Sequence, residues 1–165
     1  MDRDLQKIIS ELSQWGNLNS AARFLVKNIC VVNEWEYGEI WLPSKDDKFM
    51  IWTGFWSSAA EHFEKFSKFS SFHKFAKGIG FIGKTWLQQK SLWIEDIYTN
   101  NNFLRTEVAS RSGLNSAISI PIVYKNQVLC ILCFFNNDLT PGDKKKGSEI
   151  FQFSEEIGEV LSGMI

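Results

Sequence analysis

Ala117-Ile118-Ser119-Ile120-Pro121-Ile122-Val123-Tyr124, then Lys125-Asn126-Gln127, then Val128-Leu129-Cys130-Ile131-Leu132-Cys133-Phe134-Phe135. These are two apolar runs separated by three polar residues. Both are rich in β-branched and aromatic side chains, which suit a pleated surface. The short polar insert joins them as a tight antiparallel hairpin. The second run is apolar on both of its faces. It is therefore expected to be a central strand, covered above and below.

Outward from this hairpin, helical and strand signals alternate. Downstream, Thr140, Pro141 and Gly142 open a helix expected over 143–161. Ile150, Phe153, Ile157, Val160, Leu161 and Met164 lie along one side of it. Upstream, Asn100, Asn101 and Asn102 cap a helix expected over 103–112, which ends at Gly113. A strand is expected over 91–97 and a short helix over 85–89. Phe63, Phe66, Phe69, Phe72 and Phe75 recur every third residue. On one helix that stripe would drift by about 60° per step. The segment is therefore split into a helix over 58–70 and an extended piece over 72–77. Strands over 38–42 and 49–55 flank the polar turn 44–48. Two helices come first, one carrying Leu5, Ile8, Ile9, Leu12 and Trp15, and one carrying Ala22, Leu25, Val26, Ile29 and Cys30 behind an Asn19 or Ser20 cap. The order ααββα(β)αβαββα makes the fold α+β around an antiparallel sheet. Residues 1–165 form one domain, with 1–16 and 143–165 as its terminal helices.

Composition narrows the function. Eighteen basic against nineteen acidic residues leave a net charge of −1, without the basic excess of a nucleic-acid module. The longest apolar run, Val128 to Phe135, is too short to span a bilayer. No basic start with an apolar stretch marks a secretory signal. Three cysteines argue against a disulfide scaffold and fit a reducing compartment, hence a cytoplasmic location.

Few groupings carry chemistry. Gly78-Ile79-Gly80-Phe81-Ile82-Gly83 matches G-x-G-x-x-G as a string. It lacks the parallel βαβ setting that a dinucleotide site needs, so a sharp turn explains the glycines better. Cys130 and Cys133 lie three apart on a strand and point to opposite faces, so they cannot share a metal or a disulfide. His62 and His73 are too far apart to share a metal. Each is expected to be hydrogen-bonded or solvated. Asp96 follows a strand, and Arg105, nine residues later, lies one turn into the helix expected over 103–112. The two are either an ion pair at the sheet edge or polar groups aimed into a cavity. The 15% aromatic content can fill a core or line a ligand cavity.

From residue 75 to 136 the chain resembles the GAF domain family. The resemblance runs through Phe75-Ala76-Lys77-Gly78-Ile79-Gly80-Phe81-Ile82-Gly83-Lys84-Thr85-Trp86 and Trp93-Ile94-Glu95-Asp96-Ile97. It continues through Phe103-Leu104-Arg105 with Ala109, Gly113-Leu114-Asn115-Ser116-Ala117, Ile120-Pro121-Ile122 and Val128-Leu129-Cys130-Ile131-Leu132. It implies a central antiparallel sheet with terminal helices on one face. Loops and short helices then roof a small-molecule pocket on the other. It also implies a non-enzymatic sensory domain in signal transduction, of the two-component kind, attached to or partnering a histidine kinase, cyclase or transcription regulator. The ligand itself is unknown.

Three activities of the family are not expected here. The 103–112 stretch has no cysteine to attach a bilin. No Asn-Lys-Phe-Asp-Glu signature of cyclic-nucleotide binders is present. The cysteines fall in a helix and a strand, not in the pocket loops used by free methionine sulfoxide reductases. A ligand-free dimerisation module is the alternative, and a redox enzyme of the reductase type is a second. The pocket residues expected are Trp41, Trp52, Trp86, Trp93, Asp96, Phe103, Arg105, Ala109, Ser119 and Pro121. One sheet face should not absorb both terminal stripes along with the second helix. A homodimer through the terminal helices is therefore expected.

Overall fold

The computed structural model describes residues 2–165. They run α1 (Asp2–Leu12), α2 (Leu18–Asn33), β1 (Tyr37–Pro43), β2 (Phe49–Ser57), α3 (Glu64–Ser71), β3 (Lys74–Ala76), α4 (Gly80–Gln88), β4 (Leu92–Ile94), α5 (Thr106–Arg111), β5 (Ser116–Tyr124), β6 (Gln127–Asn136), α6 (Pro141–Gln152) and α7 (Ser154–Ser162). The strands form one antiparallel sheet in the order β3-β2-β1-β6-β5-β4. The β5–β6 hairpin turns on Lys125 and Asn126, whose φ values are 49° and 63°. Two left-handed residues in a row give the loop the twist that the flanking strands need. β6 lies between β1 and β5. It buries Cys130, Leu132 and Phe134 on one face and Ile131, Cys133 and Phe135 on the other.

Several boundaries differ from the sequence expectation. The strand over 91–97 shortens to Leu92–Ile94, because Asp96 folds back and its carboxylate accepts the Tyr98 N–H at 2.9 Å. The helix expected from 103 begins at Thr106, because Asn100 ties the preceding loop to the Asn102 N–H. The helix expected from 58 begins at Glu64, after a turn. Residues 80–88 are helical earlier than expected. Asn17 caps α2, accepting the Ser20 N–H at 2.9 Å, so the cap lies ahead of Asn19 and Ser20. The last helix breaks at Phe153 (φ −93°, ψ 7°) into α6 and α7. Gly147 sits on Ile118 and Gly158 on Tyr124. The break lets both close approaches follow a twisted strand.

The terminal stripes are not left over. Leu5, Ile8, Ile9 and Leu12 of α1 are all buried, as are Ile150, Ile157 and Leu161. α2, α6 and α7 lie on the sheet, and α1 packs on α2 and α7 as a second tier. The sheet face therefore need not absorb every stripe, and the buried stripes of α1, α6 and α7 are not the leftover apolar surface on which a homodimer through these helices was expected. Val160, Phe153 and Met164 pack at the margin of this core. Trp15, beyond the end of α1, stays partly exposed.

Asp143 ties α6 to the sheet layer. It accepts the Thr140 N–H in a capping box and the Trp35 indole N–H at 3.0 Å. Burial pushes its carboxyl up, but the hydrogen bonds from Thr140 and Trp35 and the charge of Lys146 outweigh this, leaving its pKa lowered. A lowered folded pKa gives stability present above the unfolded value and lost as pH falls through the folded one. Asp143→Ala should therefore cost about 1 kcal/mol near neutral pH. In urea titrations the two proteins should converge as the solution is acidified through the lowered folded-state pKa of Asp143. A gap that persists in acid would refute the charge-based cap.

Candidate functional site

The face of the sheet opposite the terminal helices is roofed by α3, α4, α5 and the turns between them. Under that roof lies Arg105, the N-cap position of α5. It is 2% exposed. Its guanidinium meets Glu39 of β1 through both terminal nitrogens, Nη2 to Oε1 at 2.7 Å and Nη1 to Oε2 at 3.1 Å. Nη1 also donates to Ser70 Oγ of α3 at 2.7 Å. Glu39 is itself fully buried and accepts the Trp41 indole N–H at 2.9 Å. The rings of Trp41, Phe66, Phe103 and Phe135 stand 5.1–5.6 Å from the guanidinium carbon. Burial disfavours the charged form of Arg105, but the charge and hydrogen bonds of Glu39 more than compensate, and its pKa is raised. A fork–fork pair of this kind is strong and directional.

The sequence brings these groups together by strand alternation. Glu39 and Trp41 are two apart on β1 and share a face. Tyr37 is two further back and stacks on Phe55 at 5.3 Å. Glu39 pairs with Cys133 and Tyr37 with Phe135 across the ladder. Arg105 comes from a distant segment, held by the 100–106 loop: Thr106 Oγ donates to the Phe103 and Ile97 carbonyls.

The expected pocket residues divide into groups. Trp41, Phe103 and Arg105 come together, the two rings against the guanidinium. Ala109 and Trp86 are buried in the same roof-side core. Ser119 is fully buried on β5, where it pairs with Cys133 and so faces the roof. Pro121, also buried, follows two residues on, with the same orientation. Trp52 packs at the margin of that core, its indole N–H buried next to the Tyr37 hydroxyl. Trp86 reaches the far end of the layer, where it sits under Lys77 and lines an open cleft of about 420 Å³. Two residues lie elsewhere. Trp93 pairs with Ile118 and packs into the terminal-helix core, on the wrong face. Asp96 is exposed and spends its carboxylate on its own turn. Both earlier options for Asp96 and Arg105 fall, since the guanidinium's carboxylate is Glu39. Glu39 and Ser70 were missed. The available signal was one acidic residue inside the apolar stretch Tyr37-Gly38-Glu39-Ile40-Trp41.

The remaining chemistry is structural. His62 Nε2 bonds to the Ser112 carbonyl at 2.9 Å and His73 Nδ1 to the Phe69 carbonyl at 2.8 Å. Gly78 and Gly80 have φ of +86° and +69°, so the turn requires them. β3 before them is antiparallel to β2, not part of a parallel unit. Cys130 is buried on the terminal-helix face and Cys133 on the roof face. Burial pushes the Cys130 thiol up to about 12 and the other two thiols up as well. The three cysteines should therefore resist a thiol-titrating reagent until the chain unfolds. Alanine at any one should cost on the order of 1 kcal/mol. Rapid labelling in the native state would contradict this burial.

Comparisons with known proteins agree on the fold. A GAF domain family model matches residues 17–161. No curated protein sequence matches. Among solved structures, the chain resembles the GAF domain of an Acinetobacter phosphoenolpyruvate-protein phosphotransferase. Identity is 13% and the TM-score 0.71, over 98% of this chain and 92% of that one. The corresponding domain from Coxiella burnetii gives 15%, with a TM-score of 0.71 over 98% and 94%. A free methionine-R-sulfoxide reductase from Neisseria meningitidis, solved with its substrate, gives 12% and 0.76 over 97% and 87%. A model match across residues 17–161, with these folds behind it, shows that the chain belongs to the GAF domain family.

Proposed function

We propose that this chain is a non-catalytic regulatory GAF domain whose roofed chamber is filled by its own Arg105. The observation that carries this reading is the guanidinium itself: buried, bidentate to Glu39, bonded to Ser70 and boxed by four rings. Its hydrogen-bonding needs are met largely from within the chain. Signalling would then pass through contacts with an attached or partner effector, for which a histidine kinase, cyclase or transcription regulator remain the candidates. Redox catalysis of the reductase type finds no support, because all three thiols are buried with raised pKa. No described helix is long and apolar enough to cross a membrane.

One observation favours a second reading, a small hydrogen-bonding ligand. Among the described residues, Ser119 Oγ is buried on the roof side without a partner, and Tyr37 Oη and Trp52 Nε1 are buried there with no partner but each other. Buried polar atoms of this kind need partners. Native mass spectrometry of the purified chain, with an absorption spectrum, separates the readings. The self-filled chamber predicts the mass of the chain alone. A stoichiometric small molecule, released on denaturation, would overturn it in favour of the ligand.

A further inference from the structure

The outer edge of β2 is open. β1 pairs along one side of it from Met50 to Ser57. On the other side β3 covers only Phe49–Ile51. Among the described residues, no strand and no loop backbone bonds to the outer edge of residues 52–57. That stretch, Trp52-Thr53-Gly54-Phe55-Trp56-Ser57, carries no charge and no proline. Natural edge strands normally use such devices to avoid pairing with another chain.

The edge borders a groove. A concavity of about 480 Å³ lies between β2 and the outer side of α2. Phe24, Phe55, Trp56 and Trp15 give it aromatic walls. Its charged members are Arg23 and Lys27, one turn apart on α2, and no acidic residue lines it. Neither cation makes a salt bridge among the described residues. Arg23 is set over the strand: a Cβ at Gly54 would lie 2.6 Å from its Nη2, so glycine is what lets the guanidinium rest there.

We propose that this edge and groove bind an extended acidic peptide segment of a partner protein, added to the sheet beside β2. Main-chain hydrogen bonds would supply affinity, and alternate side chains specificity. Acidic residues on the α2 side would meet Arg23 and Lys27, and apolar residues on the roof side would meet Phe55. Charge complementarity selects this occupant over a second copy of the chain. Two β2 edges paired about a two-fold axis would bring Arg23 and Lys27 of each copy onto the same face, like charges side by side. The inference does not depend on what fills the chamber under the roof.

The test uses the whole chain and two synthetic heptapeptides, one alternating Glu with Val or Phe, the other with every Glu replaced by Lys. Tryptophan fluorescence gives affinity, and amide hydrogen exchange gives the site. The acidic peptide should slow exchange within residues 52–57, and binding should weaken with salt. The R23E/K27E variant, whose unfolding temperature should be unchanged because both side chains are exposed, should bind it at least about tenfold more weakly. Equal binding of the basic peptide, or unchanged affinity in the variant, would overturn the proposal. So would no protection of 52–57 by either peptide at millimolar concentration. Protection that grows with protein concentration and no peptide would assign the edge to a second copy, and would overturn it too.

Discussion

Alanine at Glu39 should destabilise the domain by about 3–5 kcal/mol, the cost of leaving one member of a buried ion pair uncompensated. The carboxylate accepts from both terminal nitrogens of Arg105 and from the Trp41 indole. Its loss strands a charge that is 2% exposed and orphans an indole N–H. Among the described residues, Ser70 Oγ, at 2.7 Å, is the one other oxygen bonded to the guanidinium, and a hydroxyl cannot balance a charge. The pair is not thereby a large net stabiliser, because desolvating both ions offsets most of their attraction. The two statements have different signatures. Glu39→Leu combined with Arg105→Met replaces the pair by apolar groups among Trp41, Phe66, Phe103 and Phe135. That double variant should lie within about 2 kcal/mol of the parent, far from the sum of the single losses. Urea midpoints at constant slope measure all three. If Glu39→Ala costs less than about 1 kcal/mol, water reaches the guanidinium and the self-filled chamber is wrong.

The same pair shows where sequence reading reached and where it stopped. The β5–β6 hairpin was legible because it is local: two apolar runs and a short polar insert determine each other. The three-residue phenylalanine spacing was legible as a conflict, and the chain resolves it by ending α3 at Ser71 and starting β3 at Lys74. Arg105 is legible as a candidate, but the acidic residue that local spacing sets beside it is Asp96. Glu39 lies 66 residues away, and no local period links a strand residue to a loop beyond two helices. Trp93 was misplaced for a simpler reason. Side chains alternate across a sheet, and its register opposite Ile118 puts it with the terminal helices. The break at Phe153 left no sequence sign, since apolar spacing continues through it. The terminal stripes were correctly read as apolar. Their destination depended on α1 stacking on α2 and α7, a third layer that periodicity does not reveal.

Gly83→Ala is expected to be the most damaging single methyl that can be added to the glycine cluster, at about 3 kcal/mol or more. Gly83 lies inside α4, where alanine would ordinarily gain about 1 kcal/mol in helix propensity. Here the added Cβ would sit 2.2 Å from the Ala76 carbonyl oxygen and 3.3 Å from the Gly78 nitrogen. Both are backbone atoms, so no rotamer change relieves the clash; α4 must lift from the end of β3. That lift would also strain the tight loop in which Gly78 N–H donates to the Gly83 carbonyl at 2.7 Å and Gly83 N–H to the Ile79 carbonyl at 3.1 Å. Gly78 and Gly80 matter for a different reason, their positive φ, and alanine at either should cost about 1–2 kcal/mol. Gly80 should be the worse of these two, since its Cβ would also press on the Phe75 ring at 3.1 Å. Gly16, with nothing within 4 Å of its Cβ position, serves as the control and should change stability by no more than about 0.5 kcal/mol. The expected ranking in urea is therefore Gly83, then Gly80, then Gly78, then Gly16. It separates close backbone packing from backbone conformation as the reason for three glycines in six residues. A Gly83→Ala protein as stable as the Gly16→Ala control would mean that α4 does not rest on β3 as described, and would remove the packing explanation for that glycine.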